Sequence, residues 1–149
     1  MSYCRFVLKS VYILIGIGAT QLNKEDLKLA ELKKTLMRLR EALEVEKTDI
    51  TRDSVIQRFE FTVELSWKVL QKFLKASGLP DPLTPKNAIR DAARTKLVTD
   101  PEAWIQFIND RNLSSHTYRE DLAEQVYASA AKLPPHVDEL IQSIENQLK

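Results

Sequence analysis

Residues 109–120 read Asn-Asp-Arg-Asn-Leu-Ser-Ser-His-Thr-Tyr-Arg-Glu, so a guanidinium, an imidazole, a phenol, hydroxyls and an amide sit within twelve residues. Arg111 carries a planar fork suited to two phosphate oxygens. His116 exchanges a proton near neutral pH. Around a phosphate, those two groups suffice for RNA cleavage without metal. The imidazole moves protons while a 2′-hydroxyl attacks phosphorus, and the guanidinium stabilises charge on the non-bridging oxygens. On an unbroken helix the five-residue step from Arg111 to His116 would leave them about 140° apart. A break between them brings them together. Asn112, Ser114 and Ser115 permit one, because their side chains compete for backbone hydrogen bonds. Thr117 with Glu120 reads as a capping box, which predicts a helix restarting at Tyr118. His116 would then stand at that helix's positive end, where phosphate is attracted.

Other residues have simpler readings. His136 follows two prolines and reads as a loop or first-turn residue without a role. Two histidines twenty apart, with no carboxylate set at ligand spacing, argue against a metal site. Glu60, Glu64 and Lys68 repeat every four residues, as a solvated face with one Glu–Lys pair. The alternative is that Glu64 points across the bundle at Arg111. Lys86, Arg90 and Arg94 form a basic stripe, either solvated or guiding RNA. Trp67 and Trp104 read as core.

The elements that must hold the segment are all helical. Asn23 can cap a helix over about 23–47, with Glu25 and Asp26 in its first turn. Leu29, Leu32, Leu36, Leu39 and Leu43 mark its apolar stripe. Thr48–Asp53 is a polar turn. Ser54 with Gln57 is a weak capping box for a helix over about 52–77 that stops at Gly78. Thr84-Pro85 starts a helix over about 85–96, and Asp100-Pro101 starts another. After the polar interruption, Leu122, Val126, Ala130 and Leu133 continue an apolar face. Pro134-Pro135 is expected to end that helix, leaving a last one marked by Val137, Leu140, Ile141, Ile144 and Leu148. No segment alternates with period two. The fold class is all-α, an antiparallel up-and-down helical bundle.

Composition bounds the rest. At 149 residues the prior is one domain. A net charge of +1 and 44% hydrophobic residues exclude a disordered polymer and a protein that holds nucleic acid by bulk charge alone. One cysteine, Cys4, excludes an internal disulfide and a thiolate zinc cage. Three glycines form neither a Walker loop nor a dinucleotide fingerprint. No cofactor is implied, and a cytoplasmic location is the default. Residues 1–21 form a separate apolar leader whose run Val11–Ala19 is too short to cross a membrane. A secretory signal, an over-called start or non-native leader, and an apolar arm on the bundle stay open for it. Residues 22–149 read as one helical domain.

The segment Arg111–Tyr118 resembles the R-x4-H-x-Y signature of HEPN domains. Phe59–Lys68 is similar to the bacterial branch named for nucleotidyltransferase substrate binding. The resemblance spans about 24–147. It implies a four- to five-helix bundle that forms a homodimer, with two motifs facing one cleft. It implies a metal-independent endoribonuclease toxin whose antitoxin is a minimal nucleotidyltransferase. By position, Arg111 and His116 would be catalytic, Asn112 and Tyr118 would line the RNA substrate site, and Tyr118 would accept AMP. A non-enzymatic subunit binding substrate or nucleotide for the transferase is the alternative, and a purely structural bundle is a third reading.

Overall fold

A computed structural model of the chain describes residues 27–149. The leader 1–21 and the Asn23 cap with Glu25 and Asp26 lie outside the described residues. Among those described there are five α-helices and no strand: α1 Leu29–Glu44, α2 Asp49–Ala76, α3 Pro85–Arg94, α4 Pro101–Leu113 and α5 Glu120–Leu148. The fold is the all-α bundle that the periodicity requires.

In α1 the stripe Leu29, Leu32, Leu36 and Leu39 is buried. The α2 helix starts earlier than expected because its cap is Thr48. The Thr48 hydroxyl accepts from the Thr51 N–H (3.2 Å), and the Thr51 hydroxyl accepts from the Thr48 N–H (2.7 Å). The Ser54–Gln57 box does not form, since Arg58 donates to the Ser54 hydroxyl instead. At the far end Gly78 takes φ 82°, and the Leu79 N–H reaches back to the Leu74 carbonyl at 3.1 Å. The two X-Pro starts behave as read. Thr84 accepts from the Asn87 N–H at 3.2 Å, and Asp100 accepts from the Ala103 N–H at 3.0 Å.

Pro134-Pro135 does not end a helix. Both prolines lie inside α5, which runs unbroken for 29 residues. Each removes one helical N–H, and an interior proline costs roughly 3 kcal/mol. Against that, Ala130, Leu133, Val137, Leu140 and Ile144 are all fully buried along one face of α5. Burying each large aliphatic side chain contributes about 1.5–3 kcal/mol, so the continuous face outweighs two prolines.

The core lies around α2, which packs on each of the other four helices. The α5 helix packs on α1, α2 and α4. Phe59 of α2 meets Phe107 of α4 edge-on at 6.4 Å, and Trp104 meets Phe107 at 5.9 Å. His136 is therefore not a loop residue: it sits mid-α5 with its ring 5.2 Å from Phe107 and 6.5 Å from Trp104. Trp104 is core as read, whereas Trp67 is only half-buried.

Pro135 is exposed, so replacing it loses no packing. Pro135→Ala restores an N–H for the Ala131 carbonyl. It should stabilise the chain by about 1–2 kcal/mol, after allowing for the greater entropy of the unfolded alanine chain. The check is thermal unfolding followed by far-UV circular dichroism. A midpoint raised by several degrees is expected, and an unchanged midpoint would mean that the helix does not pass unbroken through residue 135.

Candidate functional site

The polar interruption is the junction between α4 and α5. The chain leaves α4 at Leu113 and closes a 3-10 turn over Ser114–His116. Hydroxyls build that turn. Ser114 Oγ donates to the Arg111 carbonyl (2.6 Å), and Thr117 Oγ1 donates to the Ser114 carbonyl (3.0 Å). The break predicted from Asn112, Ser114 and Ser115 is therefore present. The helix restart is not at Tyr118. Thr117 turns its hydroxyl backward to close the 3-10 turn, and Glu120 is drawn across to Arg52 of α2, so no Thr117–Glu120 box forms. The α5 helix begins at Glu120, with Arg119 before it in extended conformation. Its first turn holds its own carboxylates, Glu120 and Asp121. The helix N-terminus is thus occupied by side chains of the same sign as phosphate, and His116 lies before it rather than on it.

Two groups absent from the motif hold the junction. Asp110 has a relative exposure of 1%. Its Oδ1 accepts from Gln106 Nε2 (3.0 Å) and Gln125 Nε2 (2.7 Å), and its Oδ2 accepts from Ser129. One buried carboxylate thereby ties the last turn of α4 to α5. The second is Arg52, whose side chain is 7% exposed. It donates from Nη1 to Glu120, and to Glu124 at 3.0 Å. These hydrogen bonds raise its pKa above an already high value despite burial, so it is a permanent cation pinning the start of α5 to α2. Lys47 and Arg52 together hold the Glu124 carboxyl below its ordinary range. A signal for Asp110 exists in the sequence: Ser129 is a polar residue on the apolar face of α5, beside Val126 and Ala130, and needs an acceptor there.

Arg111 lies half-open at the end of α4, with its side chain 41% exposed. Its Nη2 is 3.1 Å from Glu64 Oε2, and Lys68 takes Glu64 Oε1 at 3.0 Å. Both readings of Glu64 therefore hold at once: an i,i+4 pair and a link across the bundle. Burial pushes the Glu64 carboxyl up. Hydrogen bonds from Lys68 and Trp67 and the charge of Arg111 outweigh it, and the net shift is downward. The ionised form is thus favoured by folding, and the contribution of Glu64 is present above the ordinary carboxylate range and lost as pH falls below it. Asn112 is exposed, with Oδ1 3.5 Å from Arg111 Nη1. His116 is exposed, and its ring meets that of Tyr118 edge-on at 6.1 Å. Tyr118 is 82% exposed. The junction thus gathers two pairs, Arg111 with Glu64 and His116 with Tyr118. Of the basic stripe, Arg90 bonds Asn87 and Arg94 bonds Asp91 within α3, so these two are engaged locally. Among the described residues no group of three His, Cys, Asp or Glu could hold a metal ion, and no helix is long and apolar enough to cross a membrane.

The family described as "Nucleotidyltransferase substrate binding protein like" matches residues 27–146, which include the whole junction. The chain belongs to that family. A Haemophilus influenzae protein named "Probable ribonuclease HepT" is 36% identical over 77 residues, covering 49% of this chain and 53% of that protein. The match thus spans about half the length of that relative. A Thermus thermophilus protein of known crystal structure is 30% identical, with TM-score 0.65, over 79% of this chain and 98% of that one. A second structure, from Haemophilus influenzae, is described as revealing the fold of a substrate binding domain of a nucleotidyltransferase. It has TM-score 0.68 at 24% identity, over 78% of this chain and 98% of that one, and shows the fold alone. The family match and the HepT relative bear out the resemblance to HepT-like HEPN proteins.

In this HEPN chain the junction's shape depends on Asp110 having three donors. Asp110→Ala removes the shared acceptor, leaving the buried Ser129 hydroxyl unpaired while the exposed Gln106 and Gln125 turn to water, and should cost about 2–3 kcal/mol. Asp110→Asn keeps an acceptor for the glutamines, and its amide can donate to the Ser129 oxygen, so it should cost about 1 kcal/mol. Urea unfolding of both variants checks this. Equal losses for the two would mean that volume, not hydrogen bonding, matters at residue 110.

Proposed function

We propose that this chain is a metal-independent endoribonuclease of the toxin type, in which Arg111 and His116 are catalytic and Asn112 and Tyr118 contact the RNA. The observation that carries it is that Arg111 already grips an oxyanion, the Glu64 carboxylate at 3.1 Å, on an exposed junction shared with His116. A substrate phosphate offers an oxygen of the same kind to that Nη2, and a second oxygen to the rest of the fork. In the reaction, imidazole takes the 2′-hydroxyl proton and the 2′-oxygen attacks phosphorus. The P–O2′ bond forms, the P–O5′ bond breaks, and the leaving 5′-oxygen takes a proton. One imidazole cannot serve both sides of an in-line displacement at once. Two copies of His116 across a two-fold axis supply base and acid, so the active species is a homodimer.

The name of the HepT relative supports the nuclease reading, and the family description supports a second one. In that second reading the chain is a non-catalytic subunit that binds substrate or nucleotide for a nucleotidyltransferase partner. The two readings part in a cleavage assay with purified protein. His116→Ala and Arg111→Ala should each lower RNA cleavage by about 10²–10⁴-fold, while EDTA changes nothing. Light scattering should give twice the 17.1 kDa chain mass. Loss of activity in EDTA, or full activity of His116→Ala, rejects the mechanism. No cleavage by the parent dimer leaves the binding-subunit reading.

The partner in either case is a minimal nucleotidyltransferase. In the nuclease reading it serves as antitoxin, and the 82% exposed Tyr118 is its acceptor. The phenolic oxygen attacks the α-phosphorus of ATP, the new O–P bond replaces the bond to pyrophosphate, and the phenol proton leaves. The attached phosphodiester then competes with substrate for Arg111. Co-expression should add one or more AMP masses to the chain, and Tyr118→Phe should remain an active nuclease that gains none. AMP on Tyr118→Phe would place the acceptor elsewhere.

A further inference from the structure

Along α2, Phe61, Leu65, Lys68, Lys72 and Lys75 recur every three or four residues and form one stripe. With Lys28, before α1, they line a groove of about 500 Å³ between the two helices. Glu64 lines the same groove and is the residue that Arg111 grips, so the groove opens onto the proposed catalytic guanidinium. Phe61 is an exposed ring, 54% accessible, at the end nearest Glu64. From Phe61 to Lys75 the stripe runs about 20 Å at the helical rise.

The charge of this groove is unlike that of the chain. Four lysines face the single carboxylate of Glu64 in a protein whose net charge is +1. None of the four is without a partner. Lys28 pairs with Glu31 (3.7 Å), Lys68 with Glu64 (3.0 Å) and Lys75 with Asp81 (2.9 Å), and Lys72 is engaged as well. Exposed pairs of this kind are worth roughly 0–1 kcal/mol, so phosphate can replace carboxylate at little cost. A second groove, of about 620 Å³ between α1 and α5, makes the contrast. There Lys33 and Arg40 face Asp138, Glu139 and Glu145, so the acids outnumber the bases and a polyanion is repelled.

A row of cations following one helix, with an exposed aromatic ring at its head, is what single-stranded nucleic acid needs: charge for the backbone and a platform for a base. We propose that this groove carries one strand of the RNA, with a base on Phe61 and backbone phosphates on Lys68, Lys72 and Lys75. The strand is thereby led to Arg111, where its phosphate displaces Glu64. This rests on the nuclease reading for the identity of the strand, but its test does not need turnover.

The test uses the full chain carrying His116→Ala and a fluorescent single-stranded oligoribonucleotide, read by anisotropy at several salt concentrations. Adding Lys68→Ala, Lys72→Ala and Lys75→Ala should weaken binding at least tenfold. It should also flatten the slope of log K against log salt by about 2, the value for three lost phosphate contacts on a single strand. Phe61→Ala should weaken binding severalfold with the salt slope unchanged, and Phe61→Trp should restore it. Unchanged affinity and slope in the lysine variant overturn the proposal. So does conversion of dimer to monomer by Phe61→Ala, which assigns the groove to a second copy. The two readings fail separately. RNA that binds through the lysines but is never cut by the parent chain removes the nuclease and leaves the groove. RNA that is cut while the lysine variant binds it unchanged removes the groove and leaves the nuclease.

Discussion

A carboxylate withdrawn from water must have its oxygens hydrogen-bonded, and Asp110 meets that demand with donors from two helices. Because Gln125 and Ser129 belong to α5 and Gln106 to α4, the two helices are locked in register at the point where the chain turns. Arg52 adds a second lock by holding Glu120 and Glu124 against α2. Between these anchors only Ser114–Arg119 remain to bridge the gap, and a 3-10 turn is the compact way to do it. The exposure of His116 and Tyr118 follows from that. They stand on a short turn whose ends are fixed and whose own hydroxyls are committed to its carbonyls.

The same arrangement separates structural from chemical charge. Arg52 is buried among carboxylates and can do nothing but hold. Arg111 is half-open and held by a carboxylate that shares itself with Lys68 and Trp67. Its grip on Glu64 is therefore exchangeable, while the helix that carries it is not. A site that binds phosphate benefits from this division, since the fork is oriented before the substrate arrives.

Local signals in the sequence were legible wherever the local interaction also decided the structure. The leucine spacing of α1, Gly78, Thr84-Pro85 and Asp100-Pro101 all behave as their residue types demand. Two of the failures share one cause, a distant contact prevailing over a local signal. Glu120 leaves the expected capping box for Arg52, sixty-eight residues away in sequence. Pro134 and Pro135 are overridden by the buried face on which they sit. Trp67, assigned to the core by its type, stays half-buried and hydrogen-bonds Glu64. Of the site, the break between Arg111 and His116 was legible from its serines, whereas Asp110 acquires meaning only from Gln125 and Ser129 on the next helix.

The proposed chemistry is attack of a 2′-hydroxyl on the neighbouring phosphorus, driven by Arg111 and His116. The most direct measurement is the chemistry of the cut ends, by mass spectrometry of the fragments that purified protein makes from a defined RNA. Fragments ending in 2′,3′-cyclic phosphate and beginning with 5′-hydroxyl are expected, with no cut where the residue 5′ to the scissile phosphate lacks its 2′-hydroxyl. Fragments with 3′-hydroxyl and 5′-phosphate ends would mean that water, not the ribose, is the nucleophile, and would contradict that chemistry.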